Sequence, residues 1–261
     1  MSEEEQKLFL TETKYCDFNN PTIAKLANDF EKKYGEDRRG LVRALFYFVR
    51  DHTEYEVGNW TQKASDTLRK GRGTCTNNTN LLVALFRSAG IPAGYGILDV
   101  KGKEYFGPIV PEKLSRNISK KSKHIYCYVY FEGTWLRCDP SDDEPLSLAT
   151  QHINPQSTLV EWDGFTDALL HLSKKHIIND TGPHPNIDHI IRKKMRFSLK
   201  LPVYIANLYI KFLRQNAHTI KTSAELEIEF ELWLKKNYYI SYILYRWFFW
   251  WQHLDIFFKY R

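Results

Sequence analysis

Residues 71–87 read "GRGTCTNNTNLLVALFR". The stretch opens on two glycines, passes through one cysteine, and ends as an apolar run. The run predicts a helix from Cys75 to about Ala89, because Gly90 and Pro92 supply a C-terminal stop. Cys75 then falls in the first turn, near unpaired amides and the positive end of the helix dipole, both of which favour a thiolate. Gly71 and Gly73 let the preceding backbone turn sharply or approach closely. The alternative is a buried cysteine acting as a small hydrophobe. The polar Thr74, Thr76, Asn77 and Asn78 argue against that, and the run "TNNTN" suits the wet rim of a cleft.

Working outward, Ile23, Leu26, Ala27 and Phe30 stripe a helix over 21–34, and Leu41, Leu45, Phe48 and Val49 stripe a second over 37–51, with Gly35 breaking them apart. A short helix fits 65–70, with Ser65 as its N-cap and Gly71 as its stop. After Pro92, "AGYGILDV" reads as a strand. Residues 101–123, rich in lysine, serine, glycine and proline, read as a long loop or insertion. Residues 124–139, "HIYCYVYFEGTWLRCD", read as a strand pair turning at Glu132-Gly133.

That two-residue turn fixes the register. Phe131 faces Thr134, Cys127 faces Cys138 and Tyr126 faces Asp139. Side chains alternate across a strand. One face carries Ile125, Cys127, Val129, Phe131, Leu136 and Cys138, which is apolar and should be buried. The other carries His124, Tyr126, Tyr128, Tyr130, Trp135, Arg137 and Asp139. His124 and Asp139 thus share a face as diagonal neighbours, about 7–8 Å apart at the backbone and within side-chain reach. A carboxylate on one ring nitrogen fixes the tautomer and stabilises the imidazolium, leaving the other nitrogen for a thiol proton.

The four cysteines, at 16, 75, 127 and 138, form no CxxC pair, so neither a zinc site nor any other cofactor is expected. Cys127 and Cys138 fit buried core positions. The net charge of +6 and pI near 8.9 are those of a lysine-rich surface. No zinc-finger, P-loop or RNA-binding aromatic signature accompanies the charge, so no nucleic-acid partner is expected. The acidic start "MSEEEQKLFLTE" lacks the apolar core of a secretory signal, and no apolar run is long enough to span a bilayer. A cytoplasmic location with free thiols is the expectation.

From about Asp188 the chain reads as helical and aromatic. Pro202 opens a stripe of Ile205, Leu208, Tyr209 and Phe212. Thr222-x-x-Glu225 is a capping-box pattern. Ile240, Ile243, Leu244, Trp247, Trp250, Trp251, Leu254, Phe257 and Phe258 then recur at helical spacing, interrupted by Arg246, His253 and Asp255. Residues 238–258 suit docking on the preceding domain, a homo-oligomer contact, a peripheral membrane contact or an apolar wall for a substrate. Two domains are expected: 1–185, which holds the Cys75 segment and the hairpin, and 186–261 as an aromatic-rich helical extension.

"ASDTLRKGRGTCTNNTNLLVALFRSAGIPAGYG" (64–96) and "HIYCYVYFEGTWLRCDPS" (124–141) resemble the two signature segments of the transglutaminase-like superfamily. The resemblance covers roughly residues 20–145. It implies a papain-like α+β fold, with the Cys75 helix packed on an antiparallel sheet. It also implies Cys75 as nucleophile, His124 as base and acid, and Asp139 as the orienting carboxylate. Two departures touch the expected cleft walls: Gly94 where many members have arginine, and Ile125-Tyr126 where many have tryptophan. Trp60 is a candidate oxyanion donor besides the Cys75 amide. The family chemistry is acyl transfer through a cysteine thioester. The donor would be an amide or a thioester, free or carrier-bound, and the acceptor an amine or water. An amine acceptor is favoured here, with a protease or deamidase of the same fold as the alternative. A non-catalytic interaction module using the aromatic tail is the reading from another class.

Overall fold

The computed structural model describes residues 1–261 except 117, 155–157, 171–172, 195–199 and 248–261. Three helices come first: α1 (Glu3–Leu8), α2 (Pro21–Tyr34) and α3 (Arg38–His52). Asn20 caps α2 by accepting from the Thr22 amide, with Pro21 preset for the first helical position. Gly35, at φ 54°, takes the left-handed backbone that ends it. Strand β1 (Glu54–Tyr55) pairs in parallel with β2 (Arg72–Gly73), and α4 (Ala64–Lys70) lies between them. The N-cap of α4 is Lys63, not Ser65, whose hydroxyl instead donates to the Asp17 carboxylate at 2.5 Å.

Helix α5 (Cys75–Ser88) is the centre of the fold. It packs on α2, α3 and α4 on one side and on the sheet on the other. Every residue from Cys75 to Arg87 is buried. The "TNNTN" run is therefore core, not cleft rim. The physical reason is that its polar side chains serve the backbone of neighbouring segments. Asn77 donates to the Trp60 carbonyl, Asn78 to Ser141, Thr79 to Ile125 and Asn80 to Tyr15. Buried amides and hydroxyls are tolerated when they are paired in this way.

The main sheet runs in the order β5-β4-β3-β6: β5 (Thr134–Cys138), β4 (Lys121–Phe131), β3 (Ala93–Lys101) and β6 (Ile177–His184), all antiparallel. The β4–β5 register is the expected one, with Phe131 opposite Thr134 and Cys127 opposite Cys138. The ladder stops there: the Asp139 amide donates to Ala168 at 3.0 Å. Ile125, Cys127, Val129 and Cys138 face α5 in the first core. The opposite face is covered as well. Tyr126, Leu98 and Val100 form a small second-side core with Tyr105 and Ile177 packed on it.

Residues 101–123 are not a loop. They hold α6 (Gly102–Phe106), a 3-10 turn (Gly107–Ile109), α7 (Glu112–Ser115) and the start of β4. The segment leaves and rejoins the sheet at a closed neck, where the Gly102 amide donates to Lys120 at 3.0 Å. A side chain at 102 would place its Cβ 2.1 Å from the Ser119 carbonyl, so the neck requires glycine.

Helix α8 (Glu144–Thr150) follows β5, and α9 (Asp188–Lys194), α10 (Lys200–Asn216) and α11 (Ser223–Asn237) follow β6. Thr222 caps α11 by accepting from the Glu225 amide. Ile187 and Ile191 pack in the first core, whereas α8, α10 and α11 build a separate one around Tyr209, Phe212 and Phe230. Residues 239–247 are helical and expose Ile240, Ile243 and Trp247. Of the expected terminal stripe, Trp250, Trp251, Leu254, Phe257 and Phe258 lie outside the described residues, as do His253 and Asp255. No helix among the described residues is long and apolar enough to cross a membrane.

Candidate functional site

Cys75 is the first residue of α5. Thr74 caps the helix reciprocally with Asn77: its hydroxyl accepts from the Asn77 amide, and the Asn77 side chain accepts from the Thr74 amide at 3.0 Å. The Cys75 and Thr76 amides have no acceptor within the helix. They aim the helix's partial positive charge at the thiol. This local arrangement follows from the sequence Gly-Thr-Cys-Thr-Asn, where a threonine cap and an asparagine three residues on make a capping box.

His124 sits in β4, and Asp139 immediately follows β5. The structure brings the two side chains together: His124 Nε2 lies 2.5 Å from Asp139 Oδ2, with both side chains almost wholly buried. A carboxylate only accepts, so Nε2 carries the proton. Asp139 is itself held by Ser141, whose amide and hydroxyl both donate to Oδ1. Cys75 interacts electrostatically with the His124 ring.

The electrostatics follow from these contacts. Burial opposes ionisation of the Cys75 thiol, but the interaction with His124 outweighs it and holds the thiol below its ordinary range. Burial likewise opposes the imidazolium, yet the Asp139 charge and hydrogen bond push His124 well above its ordinary value. Both shifts favour a thiolate–imidazolium pair.

Three further groups face this pair. The Tyr105 hydroxyl, carried on α6, lies 2.9 Å from His124 Nδ1, with ring centroids 5.4 Å apart. Tyr55 interacts electrostatically with Cys75 and Asp142. Asp142 is pushed up to about 7, first by burial and then by the neighbouring Asp139 charge. None of the three was singled out by sequence reasoning. The run Asp-Pro-Ser-Asp-Asp at 139–143 carried a signal for Asp142. Tyr105 carried none, because only the fold of α6 brings it to His124.

Trp60 lies beside the first turn of α5. Its carbonyl accepts from Asn77 at 3.1 Å, and its half-buried ring packs on the first core. At the two departures from the family pattern, packing gives the reason. A Cβ on Gly94 would lie 2.8 Å from the His184 carbonyl and 2.8 Å from the Phe9 ring, so no arginine fits. Tyr126 turns to the second-side core and bonds Asp180 at 2.8 Å. Among the described residues no cluster of three or more histidine, cysteine or carboxylate side chains could hold a metal ion.

The family model described as the transglutaminase-like superfamily matches residues 24–140, a span that contains Cys75, His124 and Asp139. No curated protein matches the chain. Among solved structures, the chain is similar to a candidate cysteine protease from Cytophaga hutchinsonii, at 23% identity and a TM-score of 0.40. That likeness covers 56% of this chain and 45% of the other, so the chain spans under half of that protein's length. Over residues 24–140 the chain is thus similar to the transglutaminase-like superfamily.

Proposed function

We propose that the enzyme transfers an acyl group from an amide or thioester donor to an amine, through a thioester on Cys75. The observation that carries this reading is the buried His124–Asp139 hydrogen bond, beside a Cys75 thiol at the start of α5 that His124 holds below its ordinary range. In acylation the Cys75 thiolate attacks the carbonyl carbon. The Cys75 and Thr76 amides at the start of α5 face the developing oxyanion. The tetrahedral adduct collapses, and His124 gives its proton to the leaving amine or thiol. In the second half, His124 takes a proton from the incoming acceptor as it attacks the thioester. Asp139 keeps the ring in one tautomer throughout. A water acceptor gives hydrolysis by the same steps, and that is the alternative outcome.

Two measurements test the reading. The first is the rate of iodoacetamide alkylation of Cys75 against pH. The expected profile shows an inflection below that of a free thiol, displaced upward by His124→Ala. A wild-type Cys75 that reacts no faster than a model thiol at neutral pH would sink the nucleophile assignment. The second is single-turnover product analysis with candidate amines. Release of free acid alone, even at high amine concentration, would replace transfer with hydrolysis.

A further inference from the structure

Both nitrogens of His124 have partners. Asp139 holds Nε2, and the Tyr105 hydroxyl holds Nδ1 at 2.9 Å. In the acyl-enzyme the sulfur is esterified and no longer carries a proton. Nδ1 is then the atom that must accept a proton from the acceptor nucleophile. The Tyr105 oxygen thus occupies the position, at hydrogen-bond distance from Nδ1, that an attacking water or amine has to take.

We infer that Tyr105 is the residue that decides between acyl transfer and hydrolysis: its hydroxyl keeps water off Nδ1, and only an acceptor bound by contacts of its own displaces it. This rests on the acyl-enzyme reading given above and sharpens the acceptor side of it. The reasoning is one of exchange. A water that displaced the phenol would make one hydrogen bond to Nδ1 and break another of similar strength, a net gain near zero. An amine with a side chain brings binding energy from its remote part, which can drive the displacement. The phenol keeps its own proton throughout, because burial and the facing Asp142, Cys75, Tyr55 and Asp139 push its ionisation well above the ordinary tyrosine value. It therefore stays a donor to the neutral ring.

The position of Tyr105 is braced from outside the sheet. Its segment closes at the Gly102–Lys120 neck. Beyond α6, the Tyr209 hydroxyl of α10 donates to the Ile109 carbonyl. On α7, Lys113 pairs with Glu227 at 2.6 Å and Glu231 at 2.7 Å, both on α11. Such a frame suits a group that holds one place between turnovers.

The test is burst kinetics of the full chain with p-nitrophenyl acetate. Cys75→Ala serves as control, and methylamine as the added acceptor. Tyr105→Phe keeps the ring and leaves a space the size of one oxygen over Nδ1, which a water can fill. The expected result is a rise of about tenfold in the ratio of deacylation to acylation rates, with a lower share of amide product. Tyr105→Ala should move the ratio the same way. A ratio within twofold of wild type in both variants, or a fall in deacylation, would overturn the role of Tyr105 while leaving the acyl-enzyme intact. Absence of a Cys75-dependent burst in the wild type would overturn the acyl-enzyme reading and this inference with it.

Discussion

Arg214 on α10 clasps Asp143 with two hydrogen bonds, Nε to Oδ1 at 2.9 Å and Nη2 to Oδ2 at 2.5 Å. Asp143 also caps α8 through the Leu146 amide and accepts from the Tyr55 amide at 2.7 Å. Arg214 donates further to the Tyr55 carbonyl at 3.1 Å. One ion pair therefore ties the second core to β1 and to the segment that begins at Asp139.

Arg214→Ala should destabilise the fold strongly. It leaves the Asp143 carboxylate, whose side chain is 3% exposed, without its counter-charge. Removing one partner of such a buried pair costs about 3–5 kcal/mol. Urea denaturation reads this loss directly. A loss below about 1 kcal/mol would mean that Asp143 is satisfied by its backbone donors alone.

Asp139→Asn should leave the fold in place and impair the thiol. An amide cannot stabilise the imidazolium, so the His124 value falls and the Cys75 value rises with it. The alkylation inflection of Cys75 moves to higher pH, and the rate at pH 6 drops about tenfold or more. An unchanged profile would show that His124 needs no carboxylate to activate the thiol.

Asp142 makes a prediction for stability against pH. Its native value is near 7, against an ordinary value of 3.8. The native state therefore holds this proton more tightly than the unfolded chain does. Its contribution to stability is largest below pH 4 and declines as pH rises towards 7. Asp142→Asn removes that decline. The variant should melt higher than wild type at pH 8 and differ little at pH 4, as read by thermal denaturation. Equal melting shifts at both values would contradict the assignment.

Gly96→Ala should destabilise by roughly 1–3 kcal/mol, the usual range for overpacking a dense core. A Cβ there would lie 2.0 Å from the Tyr126 ring, which is itself fully buried. Tyr126→Leu in the same chain should recover part of the loss, because it clears the ring that Gly96 accommodates. Guanidinium denaturation of the single and double variants measures the coupling.

Much of this architecture was legible because its signals are local. The α2 and α3 stripes, the Gly71 and Gly90 stops and the two-residue Glu132-Gly133 turn each act within a few residues. The turn alone fixed which face holds His124 and Asp139. What escaped the sequence depends on distant partners. Strand β6 contains Asn179, Asp180, Thr181, Gly182 and Pro183, and reads as loop; it becomes a strand only because β3 offers an edge. The asparagines and threonines after Cys75 read as wetted because their partners, such as the Tyr15 and Ser141 carbonyls, lie more than sixty residues away. Tyr105 sits in a stretch without periodicity, and its role depends on how α6 folds over β4.

The brace between α7 and α11 bears on how this protein could be dissected. Residues 24–140 carry Cys75, His124, Asp139 and Tyr105 together. The groups that steady the Tyr105 segment, Tyr209, Glu227 and Glu231, lie far beyond that span. A graft of the matched segment into another scaffold would carry these four side chains and leave behind the groups that hold the Tyr105 segment in place. The smallest unit that an engineer could move intact reaches at least to the end of α11.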